Sequence, residues 1–257
     1  MQITTKTWIE NFKICTYDIG PGGKATPQSL CRLMQEAASN HAEILQVGGE
    51  MLVERELMWV LSRLRIRFAR VPFWREHITI ETWPCDRTGG VRALRDFRIL
   101  DAERKTIGEA SSLWLLLSRK TKRPVRIPDF PREGRKPEFP DDLLENSEVP
   151  RLQHENYAKE FEVGITHLDF NNHVNNTCYI EWALNTLPHE IFETYEPRDL
   201  LFNFVGEGHC GETVVARTEK CLRSSAPASE PAFVHLLESK VGQRPLALIR
   251  TLWSPIS

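Results

Sequence analysis

Several features are missing from this sequence, and each absence closes off a class of protein. No apolar run approaches the roughly 18 residues that a membrane helix needs; LWLLL at 113–117 is among the longest. Charge of one sign is not in excess. The formal net charge is −2, which gives no global electrostatic case for nucleic acid or for insertion at an anionic membrane. Cysteines stand singly at 15, 31, 85, 178, 210 and 221, with no C-x-x-C pair among them. That spacing suits neither a zinc site nor a disulfide framework and reads as reduced thiols in a cytosolic protein. There is no H-E-x-x-H cluster, no G-x-S-x-G elbow, no Walker loop and no dinucleotide fingerprint. The opening MQITTKTWIENF lacks the apolar core of a secretory signal and the Arg- and Ser-rich character of a transit peptide. The expectation is a cytoplasmic globular protein without stable membrane insertion, nucleic acid, metal or organic cofactor.

What is present has the make-up of an ordinary folded chain. Of 257 residues, 41% are hydrophobic and 26% charged, enough for one large domain or two of about 120 residues. Pro124, Pro128, Pro131, Pro137, Pro140 and Pro150 lie close together among charged residues. Proline removes a backbone donor and fixes φ, so this stretch predicts a long connection over 125–158 between folded units at 1–124 and 159–257.

Each unit shows the same order of elements. In the first, Thr26 can cap a helix, Pro27 fits its first position and Gly48-Gly49 stop it. Leu30, Leu33, Met34, Ala37, Ala38, His41 and Leu45 fall on one helical stripe. Strand-like runs follow at Met58–Ala69, Ile78–Cys85, Val91–Leu100 and Thr106–Ser118, with a turn predicted at Thr88-Gly89-Gly90. In the second unit a short strand at Phe161–Thr166 leads to a helix near Asn176–Leu187, ended by Pro188. Four more strands follow near Asp199–Val205, Thr213–Leu222, Ala232–Ser239 and Leu246–Trp253. Laying Cys31 on Cys178 brings the two helices into register, a repeat of pattern more than of letters. Tyr179, Ile180, Trp182, Ala183, Leu184 and Leu187 cover several sides of the second helix, so it needs a sheet curled around it. One such unit leaves open sheet edges, which edge-to-edge pairing of two would close.

The stretch THLDFNNHVNN at 166–176 puts a crowd of polar side chains at the start of that greasy helix. Asp169, Asn171 and His173 are spaced by two, so an extended chain would turn all three to one side. The helix start adds unpaired N–H groups and partial positive charge at the same place. Donors converging on one point suit a carbonyl oxygen becoming an oxyanion, and one such donor is worth roughly 3–4 kcal/mol in a transition state. Ordinary capping explains part of the same pattern, and Asn175 and Asn176 read as caps. His167 and His209 read as structural.

The element order, MWVLSRLRIRF, ASSLWLLLSRKTKRPVRIP and above all LDFNNHVNNTCYIEWALNTLP resemble the acyl-acyl carrier protein (ACP) thioesterases, across nearly the whole chain. That resemblance implies an α+β double hotdog: two antiparallel sheets, each wrapped around a central helix. It implies hydrolysis of fatty acyl-ACP to free fatty acid, with acyl carrier protein as partner. It also implies a site of Asp169, Asn171, His173 and, thirty-four residues past the histidine on the next strand, Glu207. Plant members carry a cysteine directly after that glutamate; Gly208 stands here, with Cys210 two residues on, which speaks against a cysteine nucleophile. The expected roles are Glu207 as general base on water, or as nucleophile, His173 and Asn171 as water-positioning or polarising groups, and Asp169 as their holder. N–H groups near Val174 to Asn176 would hold the oxyanion.

The first unit has Gly22, Lys24 and Thr26 where the second has its acid, amide and imidazole. It is therefore expected to bind the acyl chain, with Met34, Met51, Met58 and Trp59 as candidate lining residues or as plain core. Arg63, Arg65 and Arg67 are a solvated face or, with Lys120, Lys122, Arg123 and Arg126, a docking patch for an acidic carrier. A homodimer stays open. The rival functions are an acyl-CoA thioesterase, a hotdog hydroxyacyl dehydratase and a non-enzymatic acyl-chain sensor.

Overall fold

The computed structural model describes residues 6–85, 90–127, 149–221 and 230–256. Thr88 and Gly89 of the expected turn, and Pro128, Pro131, Pro137 and Pro140 of the expected connection, lie outside the described residues.

The first half runs β1 (Trp8–Lys13), α1 (Pro27–Ile44), α2 (Gly49–Glu54), β2 (Leu57–Phe68), β3 (His77–Pro84), β4 (Arg92–Leu100) and β5 (Thr106–Ser118). The second runs β6 (Tyr157–Glu162), α3 (Asn176–Leu184), α4 (His189–Thr194), β7 (Tyr195–Phe204), β8 (Thr213–Cys221), β9 (Ala232–Ser239) and β10 (Arg244–Pro255). The strand order is β1-β3-β4-β5-β2-β7-β10-β9-β8-β6, all antiparallel. Read outward from the β2–β7 junction, the two halves have the same order. The double hotdog expectation holds at the level of topology. The two expected sheets, however, are one ten-stranded sheet, because β2 and β7 pair over Arg63↔Asn203 to Arg67↔Asp199. Each half thus covers the other's otherwise open edge.

Thr26 caps α1 by accepting from the Ser29 N–H at 3.1 Å, and Pro27 occupies the first turn, where its missing N–H costs nothing. The helix buries Leu30, Cys31, Met34, Ala37, Ala38 and His41. It stops at Ile44, before the glycines: Gly48 instead caps α2, and a Cβ there would strike the Glu43 carboxylate. A strand, β1, precedes α1 where the sequence reading began with the helix. In α3 every residue from Thr177 to Leu184 is buried except Glu181. Each large side chain so enclosed contributes about 1.5–3 kcal/mol.

On β2, Leu64, Ile66 and Phe68 turn into the core while the arginines turn outward. Arg65 is neither solvated nor available as a patch. Its guanidinium grips Asp199 of β7 through Nε at 3.0 Å and Nη2 at 2.7 Å, and Arg67 reaches the same carboxylate at 3.4 Å. These pairs cross the seam between the halves. Their charge holds the Asp199 carboxyl low against the opposing effect of its burial.

Candidate active site

Between β6 and α3 the chain makes a closed loop, which the period-two reading of Asp169, Asn171 and His173 as an extended stretch did not anticipate. The Asp169 N–H donates to the His173 carbonyl at 2.7 Å, and Leu168 bridges Val174. Asn172 takes a left-handed φ of 60°, a region that asparagine tolerates better than most residues. The Asp169 carboxylate fills the loop: Oδ1 accepts the N–H of Asn171 at 2.8 Å and of His173 at 3.1 Å. This is Asx-turn chemistry. Asp169 therefore sets where the next two side chains start, by holding their backbone.

Glu207 comes from the other side. The expected strand position is not observed: β7 ends at Phe204 and Glu207 lies beyond it. Two glycines allow its placement. Gly206 passes so close to β10 that a Cβ would sit 2.5 Å from the Pro245 carbonyl, and a Cβ on Gly208 would sit 2.8 Å from the Tyr179 hydroxyl and 2.9 Å from Val174. The Gly208 N–H donates to the Tyr179 hydroxyl at 2.9 Å, its carbonyl accepts from Val174, and Arg244 donates to the Glu207 carbonyl at 2.8 Å. Burial pushes the Tyr179 phenol upward, so it stays protonated. Gly208 is thus committed to packing, and Cys210, two residues on, is exposed.

The result is a carboxylate against an imidazole, with His173 Nε2 3.2 Å from Glu207 Oε2. His209 stands edge-on to His173 at 5.4 Å, while His167 accepts the Gly164 N–H and packs edge-on against Trp182. Burial holds the imidazole of His173 below its usual range. Lys122 and His209 push the same way, against Glu207 and Asp169. Asn171 has an acceptor, Oδ1, that is shielded from solvent and without a partner among the described residues.

The helix start supplies less than the sequence reading asked of it. The Val174 N–H goes to Gly208 and the Asn175 N–H to His167, and the Asn175 side chain caps α3 by accepting from Thr177. Of the three expected donors, only Asn176 keeps a backbone N–H without a partner among the described residues.

Asp169, Asn171, His173, Asn176 and Glu207 all line one cleft of about 1090 Å³. Most of its other lining comes from the first half, including Ala38 and Ala42 of α1, Leu52 of α2, Leu61 of β2, Leu94 of β4 and Leu115 of β5. Met58 and Trp59 line it; Met34 is sealed in the core and Met51 is half-buried on α2, and neither is among the lining residues. Two groups escaped the sequence reading. Arg95 of β4 lies buried on the cleft wall, bonded to His41 Nδ1 at 3.1 Å and Thr82 at 3.2 Å, and burial lowers its guanidinium to about 10. Lys122 reaches the carboxylate–imidazole pair itself, 3.4 Å from His173 Nε2 and 3.7 Å from Glu207 Oε2. Only its neighbours in a basic run mark it in sequence, which is why it was grouped with the docking cations. Among the described residues no cluster of His, Cys, Asp and Glu is placed to hold a metal, and no helix is long and apolar enough to cross a membrane.

A curled sheet in two topologically equivalent halves, each around its own helix, defines a double hotdog protein. Residues 5–133 match the acyl-ACP thioesterase N-terminal domain and residues 151–255 the C-terminal domain, and the chain belongs to this family. It is similar to the chloroplastic palmitoyl-acyl carrier protein thioesterase of Cuphea hookeriana, at 30% identity over 96% of this chain and 62% of that protein. It thus spans less than two thirds of that plant relative. Among solved structures it resembles the 12:0-ACP thioesterase of Umbellularia californica (TM-score 0.85, 26% identity, 97% of this chain and 94% of that one). An acyl-ACP thioesterase of Bacteroides thetaiotaomicron shares the fold (TM-score 0.83, 21% identity, 97% and 98%).

Proposed function

We propose that this protein hydrolyses the thioester of a fatty acyl group carried on acyl carrier protein, releasing free fatty acid and the carrier thiol, in the cytoplasm. The observation that carries this reading is the Glu207–His173 pair, 3.2 Å apart at a cleft whose remaining walls are largely apolar. Such a cleft takes a lipid tail, and the pair meets its reacting end. Glu207 removes a proton from water as the water oxygen attacks the thioester carbonyl carbon. The electron pair of the C=O bond moves onto the carbonyl oxygen, which becomes an oxyanion held by the Asn176 N–H, with His173 and the Asn171 amide polarising the carbonyl or positioning the water. Collapse breaks the C–S bond, and the proton taken by Glu207 goes to the departing thiolate. Such a base contributes about 10²–10⁴-fold.

The division of labour follows the proposed units. Residues 1–124 supply most of the acyl wall, 159–257 the reacting groups, and 125–158 the connection. The acyl wall uses Met58 and Trp59 rather than Met34 or Met51. Arg119, Lys120, Arg123 and Arg126 near the cleft form the docking surface for an acidic carrier.

Glu207→Gln keeps the shape and removes the base. Thiol release from palmitoyl- or dodecanoyl-carrier protein should fall by at least about 10²-fold with little change in KM. Near-normal kcat in that variant would end the assignment, and co-purified lipid with no turnover in the native protein would point to a sensor.

A further inference from the structure

We propose that Lys122 is a positioning residue of the reaction: its ammonium, brought in from the first half of the chain, holds the Glu207 carboxylate and the His173 imidazole of the second half in working alignment. This inference rests on the catalytic reading of that pair.

The position of Lys122 is dictated by a tight turn after β5. Its N–H donates to the Ser118 carbonyl at 2.9 Å, Ser118 in turn donates to Arg123, and Leu117 bridges Pro124. Lys122 takes a left-handed φ of 55° at the tip. The side chain then crosses to the second half. There it lies 3.7 Å from Glu207 Oε2 and 3.4 Å from His173 Nε2, and it has no other carboxylate partner among the described residues.

The neighbourhood isolates its effect. On the pair itself the other titratable groups are Asp169, tied up with two backbone N–H groups, and His209, edge-on to His173. Arg244 of β10 approaches Glu207 but bonds its main-chain carbonyl, with Glu212 as its carboxylate partner. Arg32 and Glu36 of α1 and Arg119 and Arg126 beside β5 share the cleft wall, and no ion pair joins any of them to Glu207 or His173. Among the described residues, Lys122 is thus the cation in contact with the pair.

That contact does two things. His173 Nε2 faces two partners: as N–H it donates to Glu207, and with the proton on Nδ1 it accepts from Lys122. The ammonium therefore lets the imidazole turn its proton away from the carboxylate, leaving Glu207 free to take one from water. A positive charge at this range also makes the His173 imidazole harder to protonate. The acid limb of kcat/KM accordingly lies lower than it would without the lysine.

The test is the pH profile of thiol release from palmitoyl-carrier protein, for the native protein and for Lys122→Met, Lys122→Arg and Glu207→Gln. Lys122→Met should move the acid limb up by about 0.5–1 pH unit, less than a buried pair would give because the lysine is half-exposed. One unit below the native limb that is a loss of about three- to tenfold, on top of any loss in kcat at the plateau. Lys122→Arg should restore the limb. An unmoved limb in Lys122→Met overturns the inference. So does a change confined to KM for the carrier substrate, which would make the lysine a docking cation. If Glu207→Gln retains turnover, the catalytic reading itself fails, whatever Lys122→Met does.

Discussion

His235 sits at the middle of β9 with no exposed surface. Its Nδ1 meets the Thr218 hydroxyl at 2.7 Å and its Nε2 the Thr251 hydroxyl at 3.2 Å. Neither neighbour offers a negative charge, so burial alone lowers the imidazole to about 3. The consequence for stability has a definite sign. Above roughly pH 6.5, the ordinary histidine value, both folded and unfolded chains hold it neutral and it has no effect. As pH falls below that, the unfolded chain gains a proton the folded chain refuses. Stability then drops by about 1.4 kcal/mol per pH unit until the folded value is reached. Comparing denaturant unfolding of the native protein and His235→Gln isolates this contribution from the carboxylates that titrate alongside it. Between pH 7 and pH 4.5 the native protein should lose roughly 2–3 kcal/mol more than the variant. Parallel losses would show that the imidazole is not held neutral in the fold.

Among the elements, α3 and the segment after β7 meet in a close contact. Gly208 touches both Tyr179 on α3 and Val174 at its start, with no room for a side chain. Gly208→Ala should therefore cost about 1–3 kcal/mol of stability. Because the displaced groups carry the loop of His173, it should also lower kcat more than it raises KM. Gly208→Cys should behave the same way, and neither variant should gain thiol reactivity in the site. A Gly208→Ala protein with native unfolding midpoint and native kcat would show that this packing does not position the pair. Much of this element-scale description was readable beforehand. The Thr26 and Asn175 caps and most strand limits follow from capping chemistry and apolar alternation, which are local. At 169–173 spacing by two fits either a strand or a turn. The choice was made by the Asp169 side chain bonding two backbone N–H groups, a contact that periodicity does not encode.

For the whole molecule the repeat goes deeper than matching strand orders. In the first half Thr82, Arg95 and Ser112 form a buried polar group across β3, β4 and β5, with the Trp114 indole donating to Ser112. In the second half Thr218, His235 and Thr251 do so across β8, β9 and β10, with the Trp253 indole donating to Thr251. The halves differ in what they bring to the cleft: the first supplies most of its walls, and the second Asp169, Asn171, His173 and Glu207. If the cations around Arg119 to Arg126 steer an acidic carrier, kcat/KM on palmitoyl-carrier protein should fall several-fold between about 50 and 500 mM salt, as screening shortens the reach of those charges. The plateau kcat should change much less. A salt-independent kcat/KM would remove the docking surface from the proposal.

From its letters alone this chain dictated two similar α+β units, the caps and faces of their helices, and a polar cluster of Asp169, Asn171 and His173 at a helix start. Each of those rests on interactions between residues close in sequence. The glutamate at 207 was legible only through its resemblance to relatives, since nothing local distinguishes it from other carboxylates. The folded molecule decided the rest: the fusion of two sheets across β2 and β7, the arginines spent on Asp199, the loss of two expected N–H donors to Gly208 and His167, and the reach of Lys122 into the opposite half. All of these depend on contacts between residues far apart in the chain, whose partners are chosen by the packing of the whole sheet around its two helices.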